Sequence, residues 1–145
     1  MSHYKIPNTL SNIDAAYIAG LIDGEGTITL TRKHRNENRQ LAVTISNTEK
    51  DLLEYVLKTI GAGKITNKRT TRAHHTPSFT YALYNRQAFN LLAQIHPYLK
   101  TYKVRRARLI LSDYLSLTPR NGKYTDQLRL AREKFETTVL AIKSA

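Results

Sequence analysis

The sequence predicts an α+β fold, in which an antiparallel β-saddle carries helices on one face. Segments that alternate polar and apolar residues occur in two pairs, each joined by a polar loop, and this is typical of β-hairpins. Segments with apolar residues at helical spacing stand before, between and after the pairs. The order is therefore αββαββα, with extra helices at the C-terminal end of the chain. At 145 residues the sequence fits one domain, residues 1–145, that is large enough to bury a core.

Capping residues and turns give the boundaries of the elements in the first half. Ser11 and Asp14 resemble a capping pair in front of an apolar stretch. Gly61 follows a helical pattern, where it would act as a C-terminal cap. Between these points, two alternating segments flank a polar turn. The signals predict a helix over residues 13–24, strands over 27–31 and 41–46, and a helix over 49–60.

The second half contains another hairpin and another helix, and then adds further helices. Strands are predicted over 64–71 and 78–84, joined by a basic loop over 72–76. Pro97 ends a helix over 87–95, and two more helices follow over 102–117 and 125–143, separated by a turn at 119–122. The last helix should bury an apolar stripe that consists of Leu128, Ala131, Phe135, Val139 and Ile142.

The chain is strongly basic, with 23 Lys and Arg residues, 11 Asp and Glu residues and a net charge of +12. This excess suits a polyanion such as nucleic acid, although it could also be the solvated surface of a basic protein. The sequence shows no secretory leader and no apolar run near the ~20 residues that span a bilayer. We therefore expect a soluble, intracellular protein of the cytoplasm or an organelle, with no membrane partner. The lack of cysteine excludes disulfides, thiolate zinc sites and cysteine nucleophiles.

One face of the predicted sheet has the composition of a surface that binds double-stranded DNA. Alternation places threonine and basic residues on one side of both hairpins and apolar residues on the other, and such a ribbon can enter the major groove. Threonine also simply favours strands, but the basic charge of both hairpins favours DNA. The predicted DNA-binding residues are Thr27, Thr29, Thr31, Lys33, Arg35, Gln40, Thr44, Lys64, Thr66, Lys68, Arg69, Thr70, Arg72 and Tyr81.

Two carboxylates, Asp23 and Glu25, follow the first predicted helix and are separated by Gly24. The helix ends there in carbonyl oxygens, so the acids complete an oxygen-rich, negative site that suits Mg²⁺. One such acid cannot hold a metal tightly, whereas two that meet at a two-fold axis can hold it beside a phosphodiester. Asp23 could instead accept hydrogen bonds from backbone amides at the helix end. We assign that role to Asp23 and the metal to Glu25.

The same helix predicts a homodimer. Ala16, Gly20 and Gly24 are spaced four residues apart and share one helical face. A face with so little side chain lets another helix come very close. A second copy packed on this face about a two-fold axis would bring the two Glu25 side chains together. The predicted interface consists of Ala16, Gly20, Asp23 and Gly24.

The stretch Tyr17-Ile-Ala-Gly-Leu-Ile-Asp-Gly-Glu-Gly26 resembles the signature motif of the LAGLIDADG homing endonucleases. The resemblance continues over nearly the whole chain. Residues 45–53 are similar to the strand-to-helix segment of the family, and residues 60–65 to its helix-to-strand turn. Residues 97–103 are similar to the segment that carries an active-site lysine. A single copy of the motif is typical of the members that form homodimers.

The resemblance implies the homing-endonuclease fold and a site-specific DNA endonuclease. Such an enzyme makes a double-strand break with short 3′ overhangs in a long near-palindromic target, by metal-assisted phosphodiester hydrolysis, in intron homing. Mg²⁺ is the implied cofactor, Mn²⁺ or Ca²⁺ can occupy the same sites, and no small-molecule cofactor is expected. The alternative is a non-cleaving nucleic-acid-binding protein of the same fold, either an RNA maturase or a transcription regulator. A ribosome-associated or structural basic protein would leave the acidic helix end unexplained.

The resemblance also implies roles for individual residues. Glu25 corresponds to the metal ligand, where the family often has Asp, and the Gly24 carbonyl is a further ligand. Asn47 corresponds to a polar residue that orients water near the metals, and Lys50 to a basic residue that follows in some members. Lys103 corresponds to a lysine near the scissile phosphate and the nucleophilic water. It could also be one more solvated charge in the basic run 100–108.

Overall fold

The computed structural model describes residues 5–68 and 76–144, and there the predicted order of helices and strands is confirmed. A short 3₁₀ turn is the one addition in these ranges. The elements are α1 (Asn12–Glu25), β1 (Gly26–Thr31), β2 (Gln40–Asn47), α2 (Lys50–Ile60), β3 (Lys64–Lys68), β4 (Ser78–Tyr84), α3 (Asn85–Ile95), the 3₁₀ turn (His96–Tyr98), α4 (Lys103–Asp113) and α5 (Asp126–Ala141).

The strands form one antiparallel sheet in the order β1-β2-β4-β3. The second strand of each hairpin therefore lies at the centre of the sheet, and the two hairpins join there. Thr27 pairs with Thr44, Thr44 with Ala82 and Ala82 with Lys64. Because residues directly opposite each other point to the same face, this row runs across the whole sheet on one side.

The helices cover only one face of the sheet, as the sequence predicted. The covered face consists of buried apolar side chains from the strands, and α1, α2 and α3 pack buried residues against it. The opposite face, called here the open face, carries threonine and serine residues that are partly or fully exposed. The core residues from the sheet include Ile28, Leu30, Leu41, Val43, Ile45 and Leu83, and those from the helices include Ile18, Ile22, Leu53, Val56, Leu91 and Leu92.

The bounds of α1 follow from a side-chain cap and a close approach. The Ser11 hydroxyl accepts a hydrogen bond from the Asp14 amide at 3.1 Å, which confirms the predicted cap. At the other end, Gly26 turns the chain directly into β1. A Cβ atom at Gly26 would lie 2.8 Å from both Ile22 Cα and the Thr44 carbonyl oxygen. Glycine is therefore required here, and this contact fixes the end of α1 against the sheet.

The two C-terminal helices differ from the prediction. The helix predicted over 102–117 ends at Asp113. Tighter turns follow, in which the Leu117 amide donates to the Tyr114 carbonyl and the Thr118 amide to the Leu115 carbonyl, each at 3.2 Å. In α5 the predicted apolar stripe is wrong at Ala131, which is exposed. Its neighbour Arg132 is buried instead, only 1% exposed, and shares the inner face with Phe135, Glu136 and Val139.

Arg132 is buried because every side of its guanidinium finds a partner. Its Nε donates to Glu136 at 3.0 Å, and its two amino nitrogens donate to the carbonyls of Leu117 at 3.0 Å and Arg39 at 2.6 Å. The guanidinium carbon also lies 4.9 Å from the Tyr114 ring centroid. These contacts join α5 to the loop before β2 and to the chain after α4. They replace the apolar contact that the stripe predicted.

Candidate active site

Glu25 is the last residue of α1, and its exposed carboxylate stands beside the end of β2. The side-chain amide of Asn47 donates a hydrogen bond to this carboxylate. The other end of the same amide accepts from the backbone amide of Glu49 at 2.7 Å, which fixes its orientation. The fold thus brings together Glu25 and Asn47, the two residues assigned from the sequence to the metal and to water.

Asp23 lies two residues before the end of α1 and binds a distant part of its own chain. Its carboxylate accepts hydrogen bonds from the Lys100 amide at 2.7 Å, the Thr101 amide at 3.1 Å and the Thr101 hydroxyl at 2.6 Å. Burial on its own would raise the pKa of Asp23, but these bonds and nearby Lys103 together hold that pKa below its ordinary value of 3.8. The carboxylate is therefore ionised at neutral pH.

This placement corrects one expectation for Asp23 and leaves another as a prediction. The sequence suggested amides at the helix end as its partners, but the amides belong to residues 77 and 78 positions later. The sequence also placed Asp23 in a dimer interface. Its carboxylate accepts hydrogen bonds from its own chain, because the segment before α4 packs against the end of α1. Asp23 thus ties two elements of one chain together, and its place in a dimer interface stays a prediction.

Lys103 is the first residue of α4 and is only 8% exposed. Its Nζ donates to the carbonyl oxygens of Ile22 at 2.8 Å and Asp23 at 2.9 Å. The ammonium therefore sits at the negative end of the α1 dipole. Burial lowers the pKa of Lys103, and the charge of Asp23 opposes that change. The alternative that Lys103 is a solvated charge in a basic run is wrong.

Lys50 lies to one side of the pair formed by Glu25 and Asn47. It is the exposed first residue of α2, and its Nζ lies 3.9 Å from a Glu54 oxygen and 5.6 Å from the centre of the Phe79 ring. Phe79 is the register partner of Asn47 on β4. The contacts of Lys50 are thus with the flank of the site.

The donors at the helix end are oxygens, and their chemistry fits a hard cation such as Mg²⁺. Glu25 offers a carboxylate, and Gly24 offers a carbonyl in the last turn of α1. Within residues 5–68 and 76–144, however, no group of three or more His, Cys, Asp or Glu residues could hold a metal ion. Glu25 is therefore not part of a preformed cluster of such residues within these ranges.

The open face carries a regular array of hydroxyl groups. Thr27 and Thr44 share a hydrogen bond at 2.6 Å, and Ser46 and Thr80 share another at 2.8 Å. Ser46 and Thr80 were missed at the sequence level, although the alternation of β2 and β4 contains them. The described members of the predicted surface that lie on the open face are Thr27, Thr29, Thr31, Gln40, Thr44, Lys64 and Thr66.

Tyr81 does not belong to that surface, and its assignment to DNA is wrong. It is fully buried on the core face, where its register partners are Ile45 and Ile65. Its hydroxyl donates to the Ala62 carbonyl at 2.5 Å, and burial raises its pKa. The signal for this was in the sequence, because the apolar Leu83 two residues later marks the inward-facing positions of β4.

Lys33 and Arg35 are exposed, but they do not lie on a strand as the alternation predicted. The strand β1 ends at Thr31, and both residues belong to the loop that follows. Glu37 organises this loop, because its carboxylate accepts from the amides of Lys33 at 2.8 Å and His34 at 3.0 Å. These bonds hold the pKa of Glu37 below its ordinary value. Lys68 ends β3, whereas Arg69, Thr70 and Arg72 lie outside the described residues.

The exposed side of α1 is a strip of small and apolar residues. Ala16, Gly20 and Gly24 are exposed, and a Cβ atom at either glycine would meet nothing within 4 Å. Ile13 on the same side is 82% exposed. Tyr17 flanks the strip and packs edge-to-face on Tyr55 of α2 at a centroid distance of 5.9 Å. The sequence prediction found the small residues but not Ile13 and the tyrosine pair.

In the part of the chain that the structure covers, no helix is both long and apolar enough to cross a membrane.

The chain is 25% identical over 130 residues to "Intron-encoded DNA endonuclease ai2b" of Dictyostelium discoideum. The match covers 86% of this chain and 48% of the relative, so the chain spans about half the length of that protein.

Two solved structures share the fold. The homing endonuclease I-CvuI, in complex with its target, matches with a TM-score of 0.74 at 18% identity over 92% of this chain and 83% of that chain. The archaeal intron-encoded homing endonuclease I-Vdi141I, complexed with DNA, matches with a TM-score of 0.68 at 18% identity over 92% and 86%. These likenesses confirm the αββαββα fold that the sequence predicted.

A family model provides the assignment that the fold alone does not give. The model is described as LAGLIDADG endonuclease, and it matches residues 18–126. This range begins inside α1, includes Glu25, Asn47 and Lys103, and extends to the start of α5. It covers well over half of the sequence. Its first residues, 18–26, belong to the stretch that resembles the signature motif of the family. The chain belongs to the LAGLIDADG endonuclease family.

Proposed function

We propose that the chain is a single-domain subunit of a homodimeric, site-specific DNA endonuclease. The observation that carries this proposal is the position of Glu25. Its carboxylate is exposed at the junction of α1 and β1, and the side chain of Asn47 orients it. Thr27, which begins the array of hydroxyl groups on the open face, follows two residues later. An acid held next to a surface suited to a polyanion is of no use to a protein that only binds DNA, because it repels phosphate.

The open face is the DNA-binding surface of this proposal. Its hydroxyl pairs can donate and accept, so they can bond to base edges as well as phosphates, and the exposed Lys64 and loop residues Lys33 and Arg35 supply positive charge. The net charge of +12 favours the same partner. We expect the affinity for duplex DNA to fall steeply as salt is added, and a flat salt dependence would contradict this assignment.

The partner in the dimer is a second copy that packs on the strip of α1. The glycines leave room for a close helix approach, and Ile13 and Tyr17 supply apolar surface around them. A two-fold axis through this strip brings the two Glu25 side chains together. Each open face then reads one half of the target, so the target is near-palindromic.

The reaction proposed is hydrolysis of one phosphodiester in each strand. Mg²⁺ is the proposed cofactor, and when bound it polarises the phosphate and lowers the pKa of the attacking water. Glu25 and the Gly24 carbonyl would hold this ion, and Asn47 would orient water beside it. Lys103 places a positive charge at the end of α1, where the phosphate charge grows during attack. Lys50 contributes charge from the flank.

The proposed product is a double-strand break with short 3′ overhangs in a long target, made during intron homing. The family assignment and the name of the Dictyostelium relative, an intron-encoded DNA endonuclease, support this proposal. The test is selection of cleaved sequences from a randomised DNA library with Mg²⁺. Recovery of near-palindromic sites with 3′ overhangs is expected. Binding of specific DNA with no cleavage in Mg²⁺ or Mn²⁺ would favour the alternative, a binding protein of the same fold.

A further inference from the structure

The end of α1 and the segment before α4 hold each other through hydrogen bonds that run in both directions. From the segment, two backbone amides and the Thr101 hydroxyl donate to the carboxylate of Asp23. From α4, the ammonium of Lys103 donates to the last carbonyls of α1. The carboxylate of Asp23 in α1 thus binds backbone amides of the segment before α4, and the ammonium of Lys103 in α4 binds backbone carbonyls of α1. We call this set of contacts the helix-end clamp.

The Thr101 hydroxyl occupies the middle of the clamp. It lies 2.6 Å from an oxygen of Asp23, and because an ionised carboxylate only accepts, the hydroxyl must donate to it. Its lone pairs are then free to accept, and the backbone amide of Lys103 lies 3.3 Å away. One half-buried oxygen atom therefore connects the end of α1 to the first residue of α4. Removal of the Thr101 hydroxyl would break both hydrogen bonds.

We propose that Thr101 is a positioning residue for the reaction, acting on Glu25 through Asp23. This inference rests on the proposed function. Glu25 follows Asp23 by two residues and ends the helix, where a free turn of helix frays readily. The clamp holds that turn from its inner side, and Asn47 holds the carboxylate from β2. Without the Thr101 hydroxyl, Glu25 keeps its chemistry but loses its fixed position.

The test compares Thr101→Val with Thr101→Ser in single-turnover cleavage across a Mg²⁺ series. Thr101→Val keeps the shape but removes the hydroxyl, so we expect the rate to fall by about tenfold or more, since small misplacements of reacting groups are costly. The Mg²⁺ concentration for half-maximal rate should also rise, while DNA affinity stays unchanged. Thr101→Ser, which restores the hydroxyl, should recover most of the rate and the original Mg²⁺ dependence.

Thr118→Val is the matched control. Thr118 is also half-buried, and its hydroxyl also both donates, to the Tyr114 carbonyl at 2.6 Å, and accepts, from Arg132. It lies in the chain after α4, among the contacts of α5. We expect this variant to lower thermal stability without changing the Mg²⁺ dependence. An unchanged Mg²⁺ dependence in Thr101→Val, or an equal change in Thr118→Val, would overturn the inference.

A second readout does not depend on cleavage. The Gly26 amide donates to the Ile22 carbonyl, which Lys103 also binds, so its hydrogen exchange reports on the last turn of α1. In Thr101→Val we expect this amide to exchange faster relative to the core amide of Val43, and in Thr118→Val we expect no change in that ratio. Unchanged exchange in Thr101→Val would overturn the clamp. If the wild-type protein cleaves no selected DNA, the endonuclease proposal fails, and the exchange result still decides the clamp.

Discussion

The ammonium nitrogen of Lys103 lies 2.8 Å from the carbonyl oxygen of Ile22, across 81 residues of sequence. The lysine begins α4, and the carbonyl belongs to the last turn of α1. A buried ammonium needs hydrogen-bond acceptors, and a carbonyl oxygen in the last turn of a helix has a lone pair for a second donor, so this end of α1 satisfies Lys103. The C-terminal end of α1, which carries Glu25, is therefore stabilised by a residue from a distant part of the chain.

Replacement of Lys103 by Met should destabilise the fold as well as the proposed site. The methionine keeps most of the volume but leaves the carbonyls of Ile22 and Asp23 without this donor, which typically costs about 1–3 kcal/mol. Urea unfolding at pH 7 measures the change. Lys100→Met is the matched control, because Lys100 is exposed in the same segment and contributes through its backbone amide. Equal stability of the two variants would contradict the structural role of Lys103.

Asp23 should make stability depend on pH in the acid range. Its pKa in the folded chain is below the ordinary value of 3.8, so its contribution is complete above that value and is lost as pH falls through the lower folded value. Asp23→Asn should therefore be less stable than the wild type at pH 7, and the difference should shrink below pH 3.8. Denaturant unfolding at several pH values measures this. A stability difference that stays constant from pH 7 to below pH 3.8 would contradict this role for the Asp23 carboxylate.

Gly26→Ala should be strongly destabilising. The added methyl group would collide with backbone atoms of Ile22 and Thr44 that cannot move without shifting α1 from the sheet, and such overpacking typically costs about 1–3 kcal/mol. The control is Gly24→Ala two residues earlier, where the methyl group meets open space within the chain. Unfolding is best compared at protein concentrations low enough for a monomer. A Gly26→Ala variant as stable as Gly24→Ala would show that the close contact is unimportant.

Gly20→Leu should prevent dimer formation without unfolding the chain. A Cβ atom at Gly20 meets nothing within its own chain, so the longer side chain is tolerated in the monomer but separates two helices that would meet there. Sedimentation velocity gives the oligomeric state. Ala131→Leu adds a similar side chain on the exposed side of α5 and should leave the dimer intact. A Gly20→Leu protein that sediments as a dimer would refute the interface.

The order of elements was accessible from the sequence because its signals are local. Alternation over a few residues identifies a strand, and Ser11 with Asp14 identifies the start of a helix. The motif places the acid at the helix end. The resemblance to the family extended these local signals to Asn47, which the sheet then brings beside Glu25.

Contacts between distant segments were not accessible in this way. No periodicity relates Asp23 to Thr101, and no pattern distinguishes the buried Lys103 from the exposed Lys100 three residues before it. The pair Arg132 and Glu136 shows the same limit, since two charged residues in a helix usually face water. Burial of such groups depends on the partners that the tertiary structure supplies, as Leu117 and Arg39 do for Arg132.

Glu25 is the proposed metal-binding acid of the nuclease, and Glu25→Gln tests this role most directly. The amide keeps the size of the side chain but loses the charge that holds a cation. With a DNA duplex obtained by the library selection, cleavage in Mg²⁺ should disappear while binding affinity stays close to that of the wild type. Glu133→Gln on the exposed side of α5 should cleave normally. Retained cleavage by Glu25→Gln, with binding intact, would contradict the account.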